Sequence, residues 1–176
     1  LTADFREVEK AAKNIEKATR KAYQLEYLTQ ARPLADVTFL ATARTLLEEA
    51  QTEFAAQRYF VAKEKAKAAE KLYKAAEKLY EAQAPALLAI AGERDELRRS
   101  ALEAPYKAQE ELYKLERELE YYGNDDNRVL ELQSVAQALL ARGQETNPQV
   151  PAYGYAEAAK EVAKAARHLI AAARGF

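Results

Sequence analysis

Cysteine, methionine and tryptophan are absent from this 176-residue chain, and glycine and proline occur five times each. Without cysteine there is no disulfide and no thiolate metal site, and the redox compartment cannot be read from cysteine pairing. A single histidine, His168, excludes a two-histidine metal or di-iron arrangement. The longest apolar run, APALLAIA at 84–91, falls far short of the roughly 20 residues that span a bilayer. Charge of one sign is missing too: 27 Lys and Arg against 28 Asp and Glu give a net charge of −1, with the signs interleaved. The basic footprint that displaces counterions from nucleic acid is therefore lacking, and a soluble chain without a nucleic-acid partner or transmembrane segment is expected. A start at Leu1 rather than methionine reads as a processed product; with the lack of cysteine it tilts the compartment, otherwise open, toward the periplasm or cell envelope and away from the cytoplasm.

What is present is alanine-rich and helical. Hydrophobic residues make up 49% of the chain, much of it alanine, so helices should approach closely while leucine and tyrosine fill most of the volume. Asp4 and Glu7 form a capping-box pattern ahead of Val8, Ala11, Ile15, Ala18, Ala22 and Leu25, spaced by threes and fours up to Pro33. A second helix is expected over 34–57 with Val37, Leu40, Ala43, Leu47, Ala50 and Phe54 on one face. The third, over 59–83, contains FVAKEKAKAAEKLYKAAEKLYEA, whose Tyr59, Ala62, Ala66, Ala69, Tyr73, Ala76 and Tyr80 line one side. Pro85 suits the start of a further helix running through Leu88, Leu97, Leu102, Ala108, Leu112, Leu115 and Leu119 to Tyr122, with a kink or break expected at Pro105 beside the capping-box pattern SALE at 100–103. GNDDN at 123–127 stops that helix and caps the next, expected over 127–143. After the loop QETNPQVP, the last helix is expected over 152–174, ending at Gly175.

The two halves echo one another. ATARTLLEEAQ at 41–51 lies over SVAQALLARGQ at 134–144 at an offset of 93, and AKEKAKAAEKLYKAA from Ala62 lies over AKEVAKAARHLIAAA from Ala159 at an offset of 97. The larger second offset places a four-residue insertion in the connecting loop, which is the mark of a duplicated helical hairpin. The fold class expected is all-α: six or seven antiparallel helices in a hairpin array or irregular bundle, one domain over 1–176, with an internally duplicated hairpin at about 34–83 and 127–174.

Ala50, Tyr59, then Ala62 and Ala69, with AQRYFVA at the turn, resemble the tetratricopeptide-type hairpin over roughly 40–76. The pattern departs where Gln57 or Arg58 replaces a turn glycine and Lys74 a closing proline. VPAYGYAEAAKEVAKAA in the second copy is similar to Ala-rich hairpin domains of unknown function in bacterial envelope proteins. These resemblances imply an exported scaffold or binding module.

Chemistry-bearing patterns are few. His168, beside the apolar face in the last turns of a helix, suits a boundary position. GNDDN lacks the spacing of a calcium loop and fits a turn and cap. Glu48 with Glu49, and Glu110 with Glu111, point to different sides of their helices and read as solvated faces. No catalytic, cofactor-binding or metal-binding residue is expected, no cofactor, and no enzymatic activity. Lys160, Lys164, Arg167 and Arg174 set against Glu157 and Glu161 suit an anionic membrane surface, but the alanine-rich apolar side favours packing. Eleven tyrosines are the compositional oddity. Tyr23, Tyr59, Tyr73, Tyr80 and Tyr113 are expected in the core; Tyr121, Tyr122, Tyr153 and Tyr155, placed at helix ends or loops, are the candidate partner-binding residues. The function expected is a scaffold or protein-binding module presenting a helical groove to a protein or peptide partner, with homo-oligomerisation compatible. The alternative is a small-molecule or lipid carrier with a pocket between helices.

Overall fold

The computed structural model describes residues 4–34, 37–83, 94–145 and 149–175. The run at 84–91 with Pro85 and Leu88, and Pro148 of the expected loop, lie outside them. Among the described residues six helices follow in order: α1 (Phe5–Ala31), α2 (Leu40–Ala55), α3 (Tyr59–Ala82), α4 (Arg94–Tyr122), α5 (Asn127–Glu145) and α6 (Gln149–Arg174). The chain is all-α, and none of these helices is long and apolar enough to cross a membrane.

Local chemistry explains most boundaries. Asp4 caps α1, its Oδ1 accepting from the Arg6 amide at 3.1 Å. Gly123 and Gly175 follow α4 and α6 in the left-handed region, at φ 78° and 79°. Asp126 caps α5 through Arg128 N–H at 3.0 Å, so GNDDN does turn and cap. Three expected boundaries shift. First, α2 begins at Leu40: Val37–Phe39 make a turn, closed by Leu40 N–H to Val37 C=O, which buries the Phe39 ring where a polar cap would otherwise stand. Second, α4 continues through Pro105, so of the kink or break expected there the break is absent. Third, α6 starts at Gln149, three residues ahead of Ala152.

The end of α2 has the Schellman pattern, with Arg58 N–H on Glu53 C=O and Gln57 N–H on Phe54 C=O. Gln57 occupies the C′ position at φ 63°, where a side chain costs roughly 1 kcal/mol relative to glycine. Gln57→Gly is expected to raise stability by about 0.5–1 kcal/mol, read as an increased urea midpoint at unchanged slope.

In each half the third helix lies between the other two: α1 and α2 pack mainly on α3, and α4 and α5 mainly on α6, while α3 and α6 pack on each other. Burial follows from that plan. The outer helix α1 buries only Ala11, Ala18 and Leu25, spaced by sevens, whereas α3 buries Ala62, Ala66, Ala68, Ala69, Leu72, Ala75 and others around most of its circumference. Methyl side chains are what permit this, because each removes little volume from the seam while letting neighbours close in on several sides. Gly154 carries it further. A Cβ built there would lie 2.5 Å from Ala82 Cβ and 3.0 Å from the Lys78 carbonyl oxygen, so α6 rests directly on the last turn of α3.

The α3–α6 seam is antiparallel and self-complementary. Glu64 of α3 meets His168 of α6, Oε2 to Nδ1 at 2.6 Å, and Glu161 of α6 meets Lys71 of α3, Oε2 to Nζ at 3.7 Å. Residues 64 and 161 are matched by the offset of 97, as are 71 and 168. The same pair of positions therefore meets twice with the helices exchanged, as in an isologous interface.

The expected faces need correction at several points. Tyr23 and Tyr113 are exposed, because on both α1 and α4 they lie two residues, about 200°, from the buried Leu25 and Leu115. Tyr73 is buried, and Tyr59 and Tyr80 are half-buried. Leu46 rather than Leu47 is the fully buried leucine of α2. Leu102 is 62% exposed, since Ala104, Ala108 and Leu115 form the inward side of α4.

Candidate functional site

Two surface depressions border the central pair. The first, about 450 Å³, lies where α6 meets α3 and the end of α4; its lining includes Lys71, Tyr122, Lys164, Arg167, His168 and Arg174. Lys164, Arg167, His168 and Arg174 share this side of α6 because they are spaced by threes, fours and sevens. Glu118 is the single carboxylate among the lining residues.

Carboxylates behind the groove fix its cations. Arg167 donates from Nε to Glu118 Oε1 at 3.0 Å and from Nη1 to Glu111 Oε2 at 2.8 Å. Burial pulls the Arg167 guanidinium down, but its two carboxylate partners outweigh that and hold it above its ordinary value. Burial likewise raises the Glu111 carboxyl, and Arg167 and Lys114 more than reverse the effect. His168 sits against Glu64, which burial pushes up and the His168 contact, with Lys67 and Lys63, brings below the usual range. Glu161, 1% exposed, faces Lys71 and Lys74, each at 3.7 Å, and Lys160 at 3.9 Å. Its Oε2 has no hydrogen-bond partner. Arg174 stacks its guanidinium carbon 3.6 Å from the Tyr122 ring centroid and closes one end of the groove with an aromatic wall. Lys164 has no ion pair among the described residues.

The second depression, about 490 Å³ and more open, lies on α1 and α3 and is lined by Tyr23, Gln24, Tyr27, Leu28 and Glu77. Lys21 Nζ holds Glu77 Oε2 at 2.9 Å. Five tyrosines, Tyr23 and Tyr27 on α1 and Tyr106, Tyr113 and Tyr121 on α4, are between 61 and 81% exposed.

The four expected partner-binding tyrosines separate. Tyr121 and Tyr122 stay together, edge to face at 4.7 Å, at the end of α4, with Tyr121 the more exposed. Tyr153 and Tyr155 lie inside α6, because that helix starts upstream of them: Tyr153 packs against the core, and Tyr155 is buried with Arg142 5.0 Å from its ring centroid. Tyr155 is thus only 7% exposed. Solvated faces also fail for Glu49 and Glu111, each held by an arginine of another helix; Glu49 Oε2 accepts from Arg128 Nη1 at 2.5 Å and Oε1 from Lys65 at 2.8 Å. Among the described residues no three His, Asp or Glu side chains gather as a metal-binding set. Lys160 binds Glu157 at 2.9 Å, and Ala156, Ala159, Ala163 and Ala166 of α6 face the core.

These ion pairs carry a pH dependence. Arg128 lowers the Glu49 carboxyl, and Glu53, Glu64, Glu111 and Asp126 are lowered too. A carboxyl lowered by folding contributes its full stabilisation above the unfolded value, 4.5 for Glu, and loses it as pH falls through the folded value. The melting temperature should therefore hold from pH 7 to about 5 and decline below that; Glu49→Gln and Glu111→Gln should lower it at pH 7 and flatten the acid decline.

Comparison with protein-family models, curated proteins and solved structures finds no match to this chain.

Proposed function

We propose that this protein is a non-enzymatic protein-binding module whose partner docks on the tyrosine-bearing outer faces of α1 and α4. The observation that carries the reading is the five tyrosines more than 60% exposed, all on those two helices. An exposed tyrosine offers a large, stiff ring and a hydroxyl at low entropic cost, which is why interfaces are enriched in it. Tyr23 and Tyr27, one turn apart and flanked by Leu28, border an open depression of about 490 Å³, and an apolar, aromatic groove is one mode by which a segment of a partner chain is recognised.

The scaffold is read as two copies of a three-helix unit, extending the hairpin echo seen in the sequence. Support comes from equivalent burial at equivalent positions: Ala43 with Ala136, Leu46 with Leu139, Ala69 with Ala166, and Leu72 with Leu169 are all buried. The outer helices add to it. KATRKAYQLEYL at 17–28 lies over KAQEELYKLERE at 107–118 at an offset of 90, matching the buried Ala18 with Ala108, the buried Leu25 with Leu115, and the exposed Tyr23 with Tyr113. Such a duplication presents one tyrosine-marked helix on each half.

The test replaces exposed side chains whose loss spares the core. Tyr23→Ser/Tyr27→Ser and Tyr106→Ser/Tyr113→Ser variants should melt within a few degrees of the parent. Proteins retained from an extract by the parent chain should be lost or reduced at least about tenfold, the effect of roughly 1.4 kcal/mol at a contact ring. Retention of the same proteins at the same level by both variants contradicts the reading.

A further inference from the structure

We propose that the groove formed by α3, α4 and α6 binds a phosphate group. This goes beyond the tyrosine surfaces, which lie chiefly on the outer sides of α1 and α4. Of the six ionisable lysine, arginine, histidine and acidic residues lining the groove, Lys71, Lys164, Arg167, His168 and Arg174 are basic and only Glu118 is acidic. Glu111, Glu161 and Glu64 stand behind Arg167, Lys71 and His168, which leaves Lys164 as a lining cation with no ion pair among the described residues. A phosphate group presents three acceptor oxygens to these donors where a carboxylate presents two. The volume, about 450 Å³, is that of a small-ligand site.

Stray basic residues on a helix surface are common, and the chain supplies its own control. Under the offset of 97, the α6 positions Lys164, Arg167, His168 and Arg174 correspond to Lys67, Glu70, Lys71 and Glu77 of α3. There the charges alternate, as on an ordinary solvated helix. Two reversals, at the positions of Arg167 and Arg174, turn the mixed face of α3 into the basic face of α6. The matched position in the first half belongs to the other depression, where Glu77 stands among Tyr23, Tyr27 and Leu28. One location in the unit is thus basic in one half and aromatic in the other.

The geometry suits an anion. Glu118 and Glu111 hold Arg167, Glu64 holds His168, and Glu161 faces Lys71. These side chains are ordered before any ligand arrives, so little rotamer entropy is lost on binding. The C-terminal dipole of α6 disfavours an anion at Arg174. It places the phosphate instead over Lys164, Arg167, His168 and Lys71, one to three turns inside, with the Arg174–Tyr122 stack as the end wall.

The phosphate could belong to a soluble compound or to a lipid headgroup, and the test separates the two. Isothermal titration of the full chain with inorganic pyrophosphate at fixed ionic strength is paired with sedimentation on vesicles containing phosphatidic acid. Lys164 is the residue to replace, because it has no ion pair to lose among the described residues; Lys164→Glu should weaken binding at least about tenfold and Lys164→Gln by less, while Lys13→Glu, the same charge change on the exposed side of α1, should leave it within about twofold. Circular dichroism confirms that each variant is folded. Saturable pyrophosphate binding with that pattern supports the proposal and a soluble source; vesicle binding alone with that pattern supports it and a headgroup source. Binding to neither probe, or equal weakening by Lys164→Glu and Lys13→Glu, overturns it.

Discussion

Leu72→Ala is expected to destabilise the protein by about 2–5 kcal/mol, and Leu169→Ala by a similar amount. Both leucines are essentially without solvent exposure, and they occupy matched positions on the two central helices. Each truncation removes transfer free energy and leaves a cavity between helices that are already in close contact, so little relaxation is available to refill it. In a chain of this length the loss corresponds to a melting-temperature drop of roughly 2–4 °C per kcal/mol. Leu102→Ala makes the comparison internal. The same atoms are removed from a leucine that is 62% exposed, and the change should stay within about 0.5 kcal/mol. Urea unfolding of the three variants reads all of these values. Equal costs at Leu102 and Leu72 would contradict the assignment of which side of each helix is buried.

Gly154→Leu is expected to cost about 3 kcal/mol, at the upper end of what overpacking usually costs. The new Cβ meets Ala82 Cβ at 2.5 Å and the Lys78 carbonyl at 3.0 Å, neither of which is the end of a flexible side chain, so one helix must shift. Gly154→Ala should cost less, because the roughly 1 kcal/mol that alanine gains over glycine inside a helix offsets part of the clash. Ala82→Gly added to Gly154→Ala should recover part of the loss, since it removes the nearest of the clashing atoms. An increase in stability for Gly154→Ala alone would show that α6 does not rest on α3 at this point.

How much of this was legible in the sequence depends on what each signal encodes. Helix type and count follow from spacing and from the few Gly and Pro positions, so α3 and α5 appear almost at their true limits. Tyr23 and Leu102 show where spacing runs out. On a long helix several apolar faces can be drawn by threes and fours, and only the neighbouring helix decides which is covered; α1 resolves this with alanines seven apart, a pattern that small side chains signal weakly. Pro151 is the third residue of α6, in the first turn where its missing N–H forfeits no helical bond, and α4 continues on both sides of Pro105.

The candidate groove was half visible. Lys164, Arg167 and Arg174 stand out as a basic run, but the same run contains Lys160, which the fold turns toward Glu157. His168 and Lys71 lie far apart in sequence and meet only because α3 and α6 are antiparallel. The offset of 97 held the missing signal: read for charge rather than identity, it sets Glu70 against Arg167 and Glu77 against Arg174 as positions of opposite sign. The outer-helix match at an offset of 90 rests on few identities, among them Ala18, Tyr23 and Leu25, while α1 packs on α3 and α4 on α6.

The seam between α3 and α6 carries the whole account, since it sets the register of the two halves, the Glu64–His168 and Glu161–Lys71 contacts, and the meeting of Lys71 with the basic face of α6. A nuclear Overhauser experiment on the full chain tests it at its closest point. A strong cross-peak between the Gly154 Hα protons and the Ala82 methyl group is predicted. Absence of that cross-peak, with the Ala82 methyl instead correlated to residues near the other end of α6, would contradict the antiparallel register.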